Sequence, residues 1–308
     1  MKKPRLLLSV TNDNNDFQIE QVKGARQAAA RLGFDLDLVY AQDDGIIQSQ
    51  QLLDRIQSAG DNRPDVVMFE PAGSTTLPHV ARAAAAKGIA WAVLSRDAEY
   101  IAELRSAFRI PAFVVTADHE EIGRIQGRQL SALVPNGGIV LVIQGPAQSK
   151  AATLRHAGLL STKPENIQMR AVKAHWSEAS ALKVVRSWLA LSTSRAIDIV
   201  AVCAQDDSMA MGARKAFEQS DHQLRKSWRE IPFLGCDGMP NTGQEWVARG
   251  LLSATVLSPP TAPVAIELIG RFFQQGAMPP AHTLTETNSI PDIATLGNKS
   301  RAANSTSL

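Results

Sequence analysis

The chain has little that would mark it as an enzyme, a metalloprotein or a membrane protein. It has two cysteines in 308 residues, Cys203 and Cys236. Their placement forms no metal-type spacing and no disulfide framework, and the plain expectation is two buried small side chains. Aromatic residues make up only 5%. The six histidines are dispersed, and no H-E-x-x-H or other metal-ligand spacing occurs. There is no G-x-x-x-x-G-K-[ST], so no P-loop is expected; no G-x-G-x-x-G follows the first apolar run, and no G-x-S-x-G elbow occurs. The expectation is no catalytic set, no metal and no cofactor. Formal net charge is +2 with Lys and Arg scattered, which gives no basic face for nucleic acid. No apolar run approaches the ~18 residues of a membrane span. The start, "MKKPRLLLSV", is basic, but its apolar run is shorter than the roughly 7–15 residues of a secretory leader core. A chain beginning this way is expected in the cytoplasm unless a leader precedes it.

What is present is a recurrence of strand-length apolar runs: Leu6–Val10, Phe34–Val39, Val66–Phe69, Ile89–Leu94, Phe113–Val115, Ile139–Ile143, Ile167–Val172, Ile197–Cys203, Pro232–Gly235 and Ala254–Leu257. Helix-length stretches separate most of them. In Phe17–Leu32, residues Val22, Ala25, Ala29 and Leu32 share one helical face, and Gly33 stands where a helix stops. Runs such as "PDVVMF" and "GIVLVI" are apolar throughout, as parallel strands covered on both faces are. The alternation predicts an α/β fold of doubly wound parallel sheets. Ten strands in two sets of five, at about 6–115 and 139–257, predict two Rossmann-like lobes.

Ligands of open parallel sheets bind outside the carboxyl ends of the strands. Those ends carry Asn12 to Phe17, Glu70, Ser95-Arg96-Asp97, Gln144-Gly145, His175-Trp176, Gln205-Asp206-Asp207, Asp237-Gly238 and Ser258. Two such rims facing each other would suit a small hydroxyl-rich ligand. Carboxylates accept hydroxyl bonds, arginine donates a fork and rings cover C–H faces. Each residue also has a plainer role: either Asp206 or Asp207 caps the helix that starts there, Asp237 fits an Asp-Gly turn, Arg96 and Glu70 fit loop charges, and Phe17 and Trp176 fit packing.

Seven segments, "SVTNDNNDFQIEQVKGARQAAARLG" (9–33), "VVMFEPAGSTTL" (66–77), "AVLSRD" (92–97), "ADHEEIGRIQG" (117–127), "AVCAQDDSMAMGARKAF" (201–217), "LGCDGMPNTG" (234–243) and "LLSATVLSPP" (251–260), together resemble the periplasmic sugar-binding proteins of the ribose-binding type, relatives of lac-repressor-type effector domains. The resemblance covers about residues 5–293. It implies two lobes joined by three crossovers: 1–116 with 259–287, and 117–258 with 288–297, leaving 298–308 as a disordered tail. It implies a non-catalytic solute-binding protein that closes by a hinge on a neutral or cationic pentose, hexose, polyol or amino sugar for ABC-type import. The implied partners are an ABC permease or a membrane receptor, the implied state a monomer, and the implied compartment the periplasm. A ligand-sensing effector domain without its DNA-binding part is the alternative.

Carried over position by position, the family's ligand contacts fall on Asn15, Phe17, Glu70 (for an asparagine), Arg96, Thr153 (for an arginine), Trp176, Asp206, Asp237 and Ser258. The family's second loop aromatic is Gln18 here, and the carboxylate before Arg96 is Ser95. Arg155 is expected to point elsewhere. Asp207 is then the expected helix cap, and Asp206 the ligand contact.

Overall fold

The computed structural model describes residues 3–73, 75–195, 197–220, 228 and 230–296. The segment 298–308, expected to be a disordered tail, lies outside the described residues. In chain order the elements are β1 (Arg5–Val10), α1 (Asp16–Leu32), β2 (Asp35–Tyr40), α2 (Gly45–Gln57), β3 (Val66–Phe69), α3 (Pro78–Ala85), β4 (Ala90–Leu94), α4 (Ile101–Phe108), β5 (Ala112–Ala117), α5 (His119–Leu133), β6 (Gly138–Gln144), α6 (Lys150–Thr162), β7 (Ile167–Lys173), α7 (Glu178–Ala190), α8 (Ser192–Arg195), β8 (Ile199–Ala204), α9 (Asp207–Glu218), β9 (Phe233–Leu234), α10 (Glu245–Ala248), β10 (Thr255–Leu257), α11 (Thr261–Gln275), β11 (His282–Thr285) and β12 (Asn288–Ile290). Each of the ten apolar runs overlaps a strand. The two further strands, β11 and β12, follow the last of those runs.

The chain forms two compact units. One holds the residues up to Ala117 together with Pro260–Thr285; the other holds Asp118–Pro259 and the described residues from Glu286 on. The chain therefore passes from unit to unit three times.

The first unit is built on a six-stranded sheet in the order β11-β5-β4-β3-β1-β2, and every pairing in it is parallel. Its inner strands β3, β4 and β5 are buried at every residue. The sheet has a core on each face: Leu7, Leu52, Phe69 and Trp91 on one, and Leu6, Leu8, Ala25, Phe113 and Ile269 on the other. Helix α1 begins at Asn15, whose side chain accepts from the Phe17 and Gln18 amides, and ends at Gly33 in the left-handed conformation.

The second unit has the parallel sheet β7-β6-β8-β9. Strand β10 continues beside β9 through single bridges, Leu234 to Ala254 and Asp237 to Leu257, and pairs antiparallel with β12. Helices α5 and α6 pack on each other backbone to backbone. A Cβ on Gly123 would stand 2.0 Å from the Arg155 carbonyl oxygen, and one on Gly158 would stand 1.9 Å from that of Glu120. Only glycine permits this approach. It places Arg155 of α6 deep in the unit, where its side chain is buried.

Replacing Gly158 with Ala must push α6 off α5. We expect a loss of about 1–3 kcal/mol, the usual cost of overpacking, read as a lower midpoint in chemical denaturation with an unchanged slope.

Candidate functional site

In each sheet the strand order reverses about one strand: β1 lies between β2 and β3, and β6 lies between β7 and β8. The carboxyl ends beside such a reversal are where ligands of this architecture bind. Each unit gathers polar side chains there.

In the first unit, Asn12 accepts through Oδ1 from the Asn15 amide at 3.0 Å and donates through Nδ2 to Asp43 at 2.8 Å. This shapes the loop that delivers Asn15 and Phe17, which is half-buried. Glu70 follows β3. Its Oε2 accepts from Gln21 Nε2 at 3.0 Å and from Ser95 Oγ at 3.2 Å. Gln21 also donates to Thr261 Oγ1 at 2.9 Å and accepts from the Ala262 amide at 2.7 Å. Gln48 donates to the Glu70 carbonyl at 2.8 Å and to Ser9 Oγ at 2.9 Å. Thus Glu70 is braced by neutral donors from α1, from α2 and from the segment after β4. Burial pushes its carboxyl above the ordinary range, although bonds from Gln21, Gln18 and Ser95 and the charge of Arg96 oppose the shift. Arg96 donates through Nη1 to the Gly73 carbonyl, and burial lowers its guanidinium pKa.

In the second unit the cap of α9 falls on Asp206 and not on Asp207, the cap expected from sequence. Asp206 is the cap of α9: it is extended at φ −147°, and its Oδ1 accepts from the Met209 amide at 2.5 Å. Asp207 is the first residue of the helix and is a staple. Its Oδ2 accepts from the Gly238 amide at 2.7 Å and its Oδ1 from Thr255 Oγ1 at 2.6 Å. A Cβ on Gly235 or Gly243 would stand 2.1 Å from one or other of its oxygens, so the carboxyl is closed in by backbone. Burial, aided by the charge of Asp237, pushes its pKa well up. The cap is the residue with extended geometry, from which the side-chain oxygen reaches the amide three residues on.

Arg155 does not point elsewhere. Its Nη1 donates to the Gln205 carbonyl, its Nη2 reaches Asp237 Oδ1 at 3.4 Å, and its guanidinium lies 5.7 Å from the Trp176 ring centroid. The short, glycine-lined approach of α6 to α5 aims it inward, and spacing along the chain alone carries no sign of this. Gln205 accepts from the Gly145 amide at 2.8 Å and donates to the Ala152 carbonyl at 2.9 Å. Gly145 lies under Trp176, where a Cβ would fall 2.3 Å from the ring. Ser258 is buried, and its amide donates to the Asp237 carbonyl at 3.0 Å. Thr153 stands apart from these contacts. It is exposed, and its hydroxyl turns back to the Ser149 carbonyl at 3.2 Å.

So the structure gathers Glu70 and its Gln21–Ser95–Thr261 brace on one rim, and Trp176, Asp237 and the backbone of Gln205 about Arg155 on the other. Gln21, Thr261 and Arg155 were missed. Gln21 had a readable signal, a glutamine on the face of α1 that also buries Gln18, Ala25 and Ala28. Ser95, Trp176 and Asp237 all have positive φ, at 59°, 46° and 101°. Such backbone in residues other than glycine costs about 1–3 kcal/mol each and concentrates at functional positions. Among the described residues no cluster of His, Cys, Asp and Glu could hold a metal ion. Both cysteines are buried, and burial pushes the Cys203 thiol up to about 12.

A family model described as "Periplasmic binding protein domain" matches residues 6–269. The ribose import binding protein RbsB of Bacillus subtilis is 26% identical over 271 residues, 88% of this chain and 79% of that protein. The RbsB of Escherichia coli is 24% identical over 266 residues, 84% of this chain and 81% of that protein. Among solved structures, an ABC transporter periplasmic solute-binding protein from Actinobacillus succinogenes with bound D-allose superposes with a TM-score of 0.80. It is 22% identical, covering 96% of this chain and all of that one.

Two tests follow. Asp206→Ala removes a cap worth about 1 kcal/mol, whereas Asp207→Ala strands the Gly238 amide and the Thr255 hydroxyl at about 1–3 kcal/mol for each buried group. The second variant is therefore expected to unfold at clearly lower denaturant. For Glu70, a raised carboxyl pKa means a stability contribution that is full below the ordinary carboxyl value and declines as pH rises through the folded value. Glu70→Gln removes that decline, so the melting temperature of the variant minus that of the wild type should grow from about pH 4 to about pH 7.

Proposed function

Because the chain belongs to the periplasmic binding protein domain family, we propose that it is a non-catalytic solute-binding protein that captures a small sugar-like ligand and delivers it to an ABC-type permease. The observation that carries this reading is the family match from residue 6 to residue 269, in a chain whose two sheets each end in a polar rim. The names of the relatives, which speak of ribose import and of bound D-allose, support a sugar. The proposed place of action is the periplasm, and no helix among the described residues is long and apolar enough to cross a membrane. The three passages between the units, next to Ala117, Pro259 and Thr285, serve as the hinge.

The proposed contacts are Asn15, Phe17, Glu70 and Arg96 from the first unit, and Trp176, Asp206, Asp237 and Ser258 from the second. Glu70, Asp206 and Asp237 accept ligand hydroxyls, Arg96 donates a fork, and Phe17 and Trp176 cover C–H faces. Thr153 belongs to this set only if its exposed hydroxyl leaves the Ser149 carbonyl. Three carboxylates against the guanidiniums of Arg96 and Arg155 disfavour an anionic ligand by like charge. A neutral or cationic pentose, hexose, polyol or amino sugar is the proposed class.

The test is a thermal-shift panel of such compounds and sugar acids on protein unfolded and refolded to strip bound ligand. A ligand at about 100 times its Kd adds about 2.7 kcal/mol, a plain rise in Tm. Asp237→Ala should weaken the hit by about tenfold or more, since a charge-assisted hydrogen bond is worth about 1.5–3 kcal/mol. A panel in which only sugar acids raise the midpoint would refute the charge argument, and a wholly flat panel would refute the sugar reading.

A further inference from the structure

We propose that Gln21 is a positioning residue that joins the Glu70 carboxyl to the start of α11, so that a ligand held by Glu70 is felt where the chain re-enters the first unit. The proposal rests on the binding reading above. Helix α11 follows directly on the passage next to Pro259. The residue before it is Pro260, whose side chain has no acceptor, and the helix has no side-chain cap of its own. The first amides of a helix need acceptors from outside it. That of Ala262 finds one on another helix, donating to Gln21 Oε1 at 2.7 Å. Three residues along α1, Gly24 leaves the room for this approach, since a Cβ there would stand 2.6 Å from Pro263 Cγ. Gln21 thus caps α11 from α1.

The nitrogen of the same side-chain amide belongs to the rim. Nε2 donates to Glu70 Oε2 at 3.0 Å and to Thr261 Oγ1 at 2.9 Å, and stands 3.5 Å from Ser95 Oγ. Ser95 gives its one hydroxyl proton to Glu70 Oε2 at 3.2 Å, so in its 3.1 Å contact with Thr261 the threonine is the donor. The four side chains close a ring whose proton directions are set by Glu70 Oε2, which accepts from both sides. Gln21 is fully buried. Burying its amide costs desolvation that a methionine filling the same space would not, and what the amide adds is a defined link. A ligand group that draws on the Glu70 carboxyl weakens the pull of Oε2 on Nε2. The shared amide then passes the change to its own oxygen, and so to Ala262, because bonds in a buried chain polarise one another. Ser95 offers a second route from Glu70 to Thr261, but the Ala262 amide is reached through Gln21.

The experiment follows the backbone N–H signal of Ala262 by NMR, in protein isotopically labelled on alanine, with the signal assigned through Ala262→Ser. In ligand-free protein, Glu70→Gln should move that signal in the wild-type background. It should also move it in Ser95→Ala, which cuts the hydroxyl route, and leave it nearly unmoved in Gln21→Met. A merely structural Gln21 would shift the signal in Gln21→Met itself yet leave the response to Glu70→Gln intact. Titration with D-ribose, D-allose and myo-inositol then reads the ligand. Whichever sugar binds the wild type should move the Ala262 signal there, and move it far less in Gln21→Met. A response to Glu70→Gln that survives Gln21→Met, that is absent from the wild type, or that is lost in Ser95→Ala would overturn the proposal. A ligand response equal in wild type and Gln21→Met would overturn it as well. If none of the three sugars binds the wild type, that counts against the sugar reading, while the ligand-free comparison still decides whether Gln21 joins Glu70 to α11. Should Gln21→Met fail to fold, Gln21→Asn, too short to span both partners, carries the same readouts.

Discussion

The carboxyl of Asp207 is the contact on which the second unit's rim depends. It sits where a polar atom has almost no room, with Gly235 and Gly243 each lacking the Cβ that would collide with it. From there it fastens the start of α9 to the Gly238 amide and the Thr255 hydroxyl. Asp237 lies one residue before that amide, so its unusual backbone is fixed from behind. Strand β10 is fixed by the same carboxyl through Thr255. The neighbouring Asp206 can then serve as cap, and the start of α9, the loop after β9 and strand β10 are tied through one carboxyl.

The first unit reaches a comparable result by other chemistry. Its brace is neutral: glutamines 21 and 48 and Ser95 donate to Glu70, and Thr261 accepts from Gln21 behind them. A carboxylate supported this way keeps one oxygen committed to the protein, so the hydrogen-bond geometry it can offer is limited. Both units thus use buried polar networks that gain geometric definition at a cost in desolvation, which a site needs and a core does not.

The inner strands were legible because a parallel sheet covered on both faces demands unbroken apolar runs, and each of the ten runs overlaps a strand. Strand β11, His282–Thr285, and β12, Asn288–Ile290, were not, because partly exposed edge strands carry the polar residues of "HTLTETNSI" and have no apolar signal. Strand-end positions were legible for the same reason, since they are where the apolar runs stop. What the sequence pattern did not carry was the direction of side chains from helices. Arg155 and Thr153 lie two residues apart on α6, about 200° apart around the helix, and only the glycine-mediated seating of α6 on α5 decides which faces inward. The assignment of cap and staple between Asp206 and Asp207 likewise depends on backbone geometry at a single junction.

The thiol of Cys236 adds a consequence of a different kind. It directly precedes Asp237 and is fully enclosed, and burial raises its pKa well above the usual thiol value. Such a sulfur reacts with an alkylating reagent only during moments when the loop after β9 opens. Its modification rate is therefore a built-in clock for breathing of this loop, distinct from that of Cys203, which lies inside the sheet on β8. Slowing of that clock by a solute would register occupancy without any spectroscopic change in the solute itself.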